Sequence, residues 1–184
     1  MENGESSYRR FLAGDENGLV ELVRDYKDGL IFYLNSFVRD LTVAEELAED
    51  TFVRLGIRRP HFSGRSSFRT WLYAIGRNEA IDCLRRRSRS REVPEDECAA
   101  LPDRETPETA YLREEKSRIV HRAMQRLRSE YRQILWLLYF ENFSCREAAK
   151  VMKKSVHAVE TLAYRARQAL KSELLREGIQ DEIL

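Results

Sequence analysis

The sequence predicts an all-α protein of two small helical domains, joined by an acidic flexible linker, with a helix-turn-helix in the second domain. Apolar residues recur at steps of three and four on both sides of the proposed linker. Only 8 Gly and 4 Pro occur among 184 residues, whereas a turn-rich β protein would need more. The predicted boundaries are 1–91 for the first domain, 92–110 for the linker and 111–184 for the second domain.

Two amphipathic stretches account for most of the first domain. The first has apolar residues at helical spacing from Leu19 to Val38, which predicts core packing. In the second, Val43, Leu47, Thr51 and Leu55 share one face, while an acidic face carries Glu45, Glu46, Glu49 and Asp50. An acidic face inside a basic, DNA-binding body indicates docking on a protein, although a merely solvated face is the alternative.

A loop and a basic helix complete the first domain. Pro60 and Gly64 interrupt helical continuity, and Ser66 or Ser67 can cap the helix that follows. This helix mixes aromatic rings with cations and an amide, at Arg69, Trp71, Tyr73, Arg77, Asn78 and Arg85 to Arg87. Unstacked bases bind such a mixture, since rings stack, cations bind phosphate and amides read base edges. Core packing is the alternative for each single ring.

The linker is predicted from charge and proline. Residues 92–110 hold seven acidic residues and one basic residue, and three of the four prolines lie between Glu92 and Glu108. Residues 61–91 carry a net charge of +6 and residues 111–184 carry +5. Two basic bodies around an acidic strap favour nucleic-acid binding on both sides.

The second domain contains the most informative pattern. Thr106 and Pro107 indicate a helix start, and the run from Ile134 to Phe140 predicts a helix that is buried on most sides. Ser144 and Glu147 form a capping box, and after a short turn Ser155 can cap another helix. This spacing predicts a helix-turn-helix whose second helix enters the major groove, with a plain helical hairpin as the alternative.

Several function classes are excluded by the composition. We expect no membrane insertion, no cleaved leader and a cytoplasmic location, because no long apolar run occurs. Cys83, Cys98 and Cys145 are odd in number and widely spaced, which argues against disulfides and zinc. No arrangement of catalytic residues, metal ligands or phosphate-binding glycines is found, so we expect no enzyme, no cofactor and no metal.

The chain resembles bacterial sigma factors of the extracytoplasmic-function (ECF) group in the sigma-70 family. AEELAEDTFVRL resembles the segment that binds core polymerase, and FSGRSSFRTWLYAIGRNEAIDCLRRR resembles the segment that melts the promoter and reads its minus-ten element. EAAKVMKKSVHAVETLAYRARQALK resembles the helix-turn-helix that reads the minus-thirty-five element. These motifs occur in the family's order and cover nearly the whole chain.

The resemblance implies a transcription initiation factor that binds core RNA polymerase, directs it to promoters and assists their opening. Its implied partners are the clamp helices of the largest polymerase subunit, the flap of the second-largest subunit, promoter DNA and an anti-sigma factor. The acidic linker resembles the family segment that occupies the RNA channel of the polymerase.

Residue positions follow from the same resemblance. The implied polymerase contacts are Glu49, Asp50, Phe52, Arg54 and Leu55. The implied minus-ten contacts are Phe62, Ser63, Gly64, Arg65, Trp71, Arg77 and Asn78. The implied minus-thirty-five contacts are His157, Thr161, Tyr164 and Arg165, with Arg146, Arg167 and Lys171 placed for phosphate. Lys153, Ala158 and Glu160 depart from the family pattern, so the promoter sequence does not transfer from relatives.

Two other functions fit the residues less well. An autonomous helix-turn-helix regulator would bind an operator as a dimer without being a polymerase subunit. A helical adaptor would sequester another protein and show no salt-sensitive affinity for DNA. The acidic face beside a strand-binding surface argues against both.

Overall fold

A computed structural model describes residues 4–90 and 119–178, and these residues form helices without any strand. The first half contains α1 (Gly4–Leu12), α2 (Asn17–Val38), α3 (Leu41–Arg58) and α4 (Phe68–Ser90). The second half contains α5 (residues 119–125), α6 (Ser129–Leu135), a π-helix (Trp136–Phe140), α7 (Cys145–Met152) and α8 (Val156–Arg176). The all-α prediction is therefore confirmed for this part of the chain.

Helix ends in the first half follow from local chemistry. Asp40 begins α3, because its carboxylate accepts a hydrogen bond from the amide of Val43 at 3.2 Å. Ser67 caps α4 in the same way, accepting from the amide of Thr70 at 3.2 Å. Of the two capping serines that the sequence allowed, the structure therefore uses Ser67.

The first half has its core where α1, α2, α3 and α4 meet. Fully buried side chains from all four helices fill it, among them Tyr8, Leu22, Leu34, Leu55, Phe68 and Leu72. The predicted stripe of Val43, Leu47, Thr51 and Leu55 is buried throughout. This packing leaves the acidic side chains of α3 on the outside.

The two halves share one continuous hydrophobic core. α4 packs against α7, and α2 packs against α6 and the π-helix. The ring of Tyr73 lies 5.1 Å from the ring of Phe143, and Phe32 lies 5.6 Å from Trp136. The described residues are therefore closed into one body, with α4 at the centre of the contact.

The apolar run from Ile134 to Phe140 is helical, but its predicted burial holds only in part. Ile134, Leu135 and Leu137 are buried, whereas Tyr139 and Phe140 are 55% and 50% exposed. The wider π-turn carries the last two rings to the surface, where Phe140 stacks on Trp136 at 4.2 Å. The predicted linker and the predicted helix start at Thr106 lie outside the described residues.

Candidate nucleic-acid and polymerase interfaces

The helix-turn-helix is formed by α7 and α8 with both predicted caps in place. The hydroxyl of Ser144 accepts from the amide of Glu147 at 3.2 Å, and the carboxylate of Glu147 accepts from the amide of Ser144 at 2.9 Å. Ser155 accepts from the amide of Ala158 at 3.2 Å. Lys153 makes the turn with a φ of 55°, a left-handed conformation that glycine often provides.

Capping also sets the ionisation of Glu147. Burial alone would raise the pKa of this carboxyl group, but hydrogen bonds from Ser144 and the charge of Arg69 outweigh it and lower the pKa below its ordinary value. Glu147 therefore stays ionised at neutral pH and holds the first turn of α7 in place.

The outer face of α8 presents the predicted minus-thirty-five residues to solvent. His157, Tyr164 and Arg165 are exposed, and Thr161 is half-buried. The opposite face is buried through Val159, Ala163, Ala166 and Leu174. Arg146 on α7 and Arg167 on α8 are exposed, and Lys171 on α8 is half-buried. The α8 residues thus share one accessible face, rich in donors and cations, as groove binding requires.

The predicted minus-ten loop has one anchored residue and three exposed ones. Phe62 packs against the rings of Phe68 and Trp71, at 5.8 Å and 5.2 Å between ring centroids. Ser63, Gly64 and Arg65 project into solvent, and Gly64 has a φ of 70° that favours glycine. Phe62 therefore fixes the base of the loop, while the side chains of the next residues are exposed to solvent.

An open cleft of about 590 Å³ lies beside this loop. Trp71, Arg77 and Asn78 from the predicted minus-ten set line it. The lining also includes His61, the cations Arg54, Arg85 and Lys153, and the acidic Asp82. Arg54 pairs with Glu79, and Arg85 pairs with Asp82. The Nε atom of Arg77 is itself buried and has no hydrogen-bond partner, so the open cleft does not expose it. An aromatic ring among cations and an amide suits a single-stranded nucleic acid.

Two of the α4 residues that the sequence predicts to bind bases or phosphate are not free to do so. Tyr73 is 1% exposed, so its interpretation as a base-stacking ring is wrong: it belongs to the core between the halves. Burial and the nearby charge of Glu141 raise the pKa of Tyr73, so the phenol stays protonated. Arg69 forms an ion pair with Glu141 at 2.6 Å instead of standing free for phosphate.

On α3 the predicted polymerase residues divide between surface and core. Glu49, Asp50 and Arg54 are exposed, but Phe52 and Leu55 are only 6% and 0% exposed. These two side chains are buried because α3 packs on both α2 and α4. Phe52 and Leu55 therefore support the surface from beneath.

Two exposed apolar residues on α3 were missed. Val53 is 54% exposed and Ile57 is 78% exposed. They follow Asp50 by three and seven residues, a spacing that places all three on one helix face. Helical periodicity from Asp50 would have found them. Acidic and apolar groups thus lie side by side, which is typical of a protein-binding surface.

The described residues 4–90 and 119–178 contain neither a metal site nor a membrane-spanning helix. No cluster of His, Cys, Asp and Glu there could hold a metal ion. None of their helices is long and apolar enough to span a bilayer. Cys83 and Cys145 are free thiols of intermediate exposure, and Cys98 lies outside the described residues.

The fold and these surfaces define a DNA-binding protein with a helix-turn-helix and a second, separate basic helix. Comparison with known families matches residues 22–90 to sigma-70 region 2 and residues 117–170 to sigma-70 region 4. The chain belongs to the sigma-70 family of RNA polymerase sigma factors, in its ECF group, and acts as a transcription initiation factor.

Individual relatives extend over both halves. The RNA polymerase sigma-H factor of Pseudomonas aeruginosa is 32% identical, covering 97% of this chain and 98% of the relative. The ECF sigma factor SigM of Bacillus subtilis is 29% identical, with 88% and 98% covered. CnrH, solved with the cytosolic domain of CnrY, has a TM-score of 0.66 and 25% identity, with 95% and 97% covered. These likenesses favour a polymerase-associated factor over an autonomous regulator.

Proposed function

We propose that three surfaces divide the work of this sigma factor. The acidic face of α3 binds core RNA polymerase, the loop before α4 together with the cleft binds the minus-ten strand, and the outer face of α8 reads the minus-thirty-five element. The observation that supports this best is the exposed polar face of α8 on a doubly capped helix-turn-helix. Under this proposal the domain boundaries remain 1–91 and 111–184, with the linker at 92–110.

The polymerase surface consists of Asp50, Val53 and Ile57 with the neighbouring acidic residues of α3. Exposed apolar side chains supply buried area on docking, and the carboxylates select a basic partner surface. Glu49 is already paired with Lys27 at 3.3 Å, whereas Asp50 is exposed on the same face as Val53 and Ile57. Asp50 is therefore the acidic residue that we expect to matter most for docking.

The minus-ten surface combines the exposed loop with the cleft. A base that leaves the stack costs a few kcal/mol, and stacking together with phosphate contacts must compensate. Trp71 offers its ring at the cleft, Asn78 offers an amide, and Arg77 contributes the charge of its guanidinium. Such a cleft favours an unpaired base over duplex DNA.

The minus-thirty-five surface separates reading from positioning. His157, Tyr164 and Arg165 are exposed toward the groove side, and Glu160 lies exposed among them. Exposed cations beside them, such as Arg167, contact phosphate and set the register of the helix. Glutamate accepts a hydrogen bond from cytosine N4 but repels phosphate. Glu160 therefore gives this chain a preference for cytosine that relatives without a glutamate here would lack.

Further partners and properties follow from family membership. CnrH was solved in complex with the cytosolic domain of CnrY, which supports a protein partner for this chain, and family membership makes an anti-sigma factor the expected one. The flap of the second-largest subunit is the expected partner of the second half. We expect the chain to work in the cytoplasm beside the polymerase and to catalyse no reaction itself.

The test is reconstitution with sigma-free core polymerase. We expect stoichiometric co-elution and new, discrete start sites on genomic fragments. Asp50→Lys weakens co-elution, because it places a cation on the acidic face. Asp28→Lys is the matched control, since Asp28 is also exposed but lies on α2. Equal affinity of both variants for core would contradict the docking surface. Tight operator binding without core would instead favour the autonomous regulator.

A further inference from the structure

Glu141 lies between the two halves of the protein and is bound from the first half. Its Oε2 atom accepts from the Nη2 atom of Arg69 at 2.6 Å and from the hydroxyl of Tyr73 at 2.6 Å. Arg69 also donates to the backbone carbonyl of Glu141. The Glu141 side chain is only 14% exposed, so solvent weakens this cluster little.

Neighbouring groups fit closely around this cluster. The guanidinium of Arg69 stacks over the ring of Phe143 at 4.4 Å. A side chain at Gly29 would begin 2.6 Å from the Oε1 atom of Glu141, so only glycine leaves room for the carboxylate. Residues from α2, α4 and the segment after the π-helix therefore form one complementary contact.

Other polar contacts join the halves at a distance from Glu141. The Nε atom of Arg132 donates to the carbonyl of Ser36 at 3.0 Å, and Lys150 donates to the carbonyl of Arg65 at 2.9 Å. Arg132 is 4% exposed, and burial lowers its pKa to about 10, with a contribution from Arg39.

The closed arrangement conflicts with simultaneous binding of both promoter elements. Their centres are about 25 base pairs apart, or about 85 Å of duplex at 3.4 Å per base pair. In the structure α4 lies directly against α7, and Lys153 from the helix-turn-helix lines the cleft of the first half. One molecule in this form therefore cannot contact both elements, although the outer face of α8 is exposed.

We propose that Glu141 is an autoinhibitory latch, which holds the second half on α4 by occupying Arg69 until polymerase or promoter DNA separates the halves. Arg69 lies in the first turn of α4, and a phosphate of the melted strand is a competing ligand for its guanidinium. The effect of the latch on DNA binding rests on the proposed minus-ten role of α4. The contact between the halves can be tested without DNA.

The first measurement is the size of the free, full-length chain by small-angle X-ray scattering. A compact body of this length has a radius of gyration of about 16 Å, to which outlying segments add. Glu141→Gln and Glu141→Ala are expected to increase the radius by several ångströms relative to the unchanged chain. Glu173→Gln is the matched control, because Glu173 is also 14% exposed but pairs with Arg126 inside the second half.

The second measurement is the affinity of the free chain for a single-stranded oligonucleotide. We expect Glu141→Ala to bind about tenfold more tightly, because the charged pair no longer favours the closed form. In the assembled holoenzyme the same variant and the unchanged chain are expected to bind promoter DNA equally. A charge swap, Arg69→Glu with Glu141→Arg, restores the compact radius without restoring a cation at position 69.

The outcomes separate the latch from the function on which it rests. An unchanged radius in both Glu141 variants, with helix content retained by circular dichroism, overturns the latch. Expansion without any gain in oligonucleotide affinity supports the latch but contradicts the minus-ten role of α4. Should the single variants lose helix content, a charge-swapped chain that is folded and compact supports the latch, and one that is folded but expanded overturns it.

Discussion

Ser155 is the residue through which the stability of the reading helix can be tested most directly. Its hydroxyl accepts from the amide of Ala158 at 3.2 Å and begins α8, whose first turns carry His157 and Thr161. Removing a serine cap typically lowers the free energy of unfolding by about 1 kcal/mol. Because Ser155 is exposed, water replaces part of the lost bond, and the loss in Ser155→Ala should stay near that value.

The same loss has a thermal and a functional measure. In a protein of this size about 1 kcal/mol corresponds to a drop in Tm of about 2–4 °C. If the first turn must re-form on DNA, holoenzyme affinity for the minus-thirty-five element falls by up to about fivefold. Scanning calorimetry and fluorescence anisotropy measure the two effects, with Ser155→Thr as the control that keeps a capping hydroxyl. An alanine variant as stable as the threonine variant would refute the capping argument.

Three further changes test the packing, the groove surface and the electrostatics. Gly18→Ala should lower the free energy of unfolding by about 1–3 kcal/mol, because its Cβ would collide with the backbone carbonyl of Ser7. Gly56→Ala is the control, since its Cβ meets only a flexible leucine side chain and should leave the stability unchanged. Denaturant titration measures both effects. Arg165→Ala should weaken holoenzyme binding to promoter DNA by about tenfold while core binding is unchanged, and unchanged promoter affinity in anisotropy would contradict its groove role. The pKa of Glu147 is lower in the folded state, so its stabilisation is present above the ordinary pKa of 4.5 and is lost as pH falls through the folded value. The difference in unfolding free energy between the unchanged chain and Glu147→Gln should therefore shrink on acidification, and a pH-independent difference would count against the capping box.

Local patterns predicted the caps and the amphipathic faces, because these depend on residues only a few positions apart. Ser144 with Glu147, and Ser155 with the apolar stripe of α8, needed no knowledge of distant contacts. The buried face of α3 followed from the spacing of Val43 and Leu47 for the same reason.

Long-range packing could not be predicted in this way. Phe52 and Tyr73 are aromatic residues on helices that have more than one buried side, and periodicity alone does not say how wide the buried face is. The pair of Arg69 and Glu141 joins positions that are 72 residues apart, and only the packing of α4 brings them together. The sequence pattern placed Arg69 among nucleic-acid contacts and did not single out Glu141.

The π-helix limits the insertions and deletions that the protein can tolerate. Its wide turn closes with a hydrogen bond from the amide of Glu141 to the carbonyl of Trp136 at 3.1 Å, five residues apart. Each residue of an α-helix turns the chain by about 100°, so a deletion between them would rotate Glu141 away from Arg69. A deletion that removed no apolar side chain from the segment would still break the contact between the halves. The number of residues here is therefore constrained independently of their chemistry.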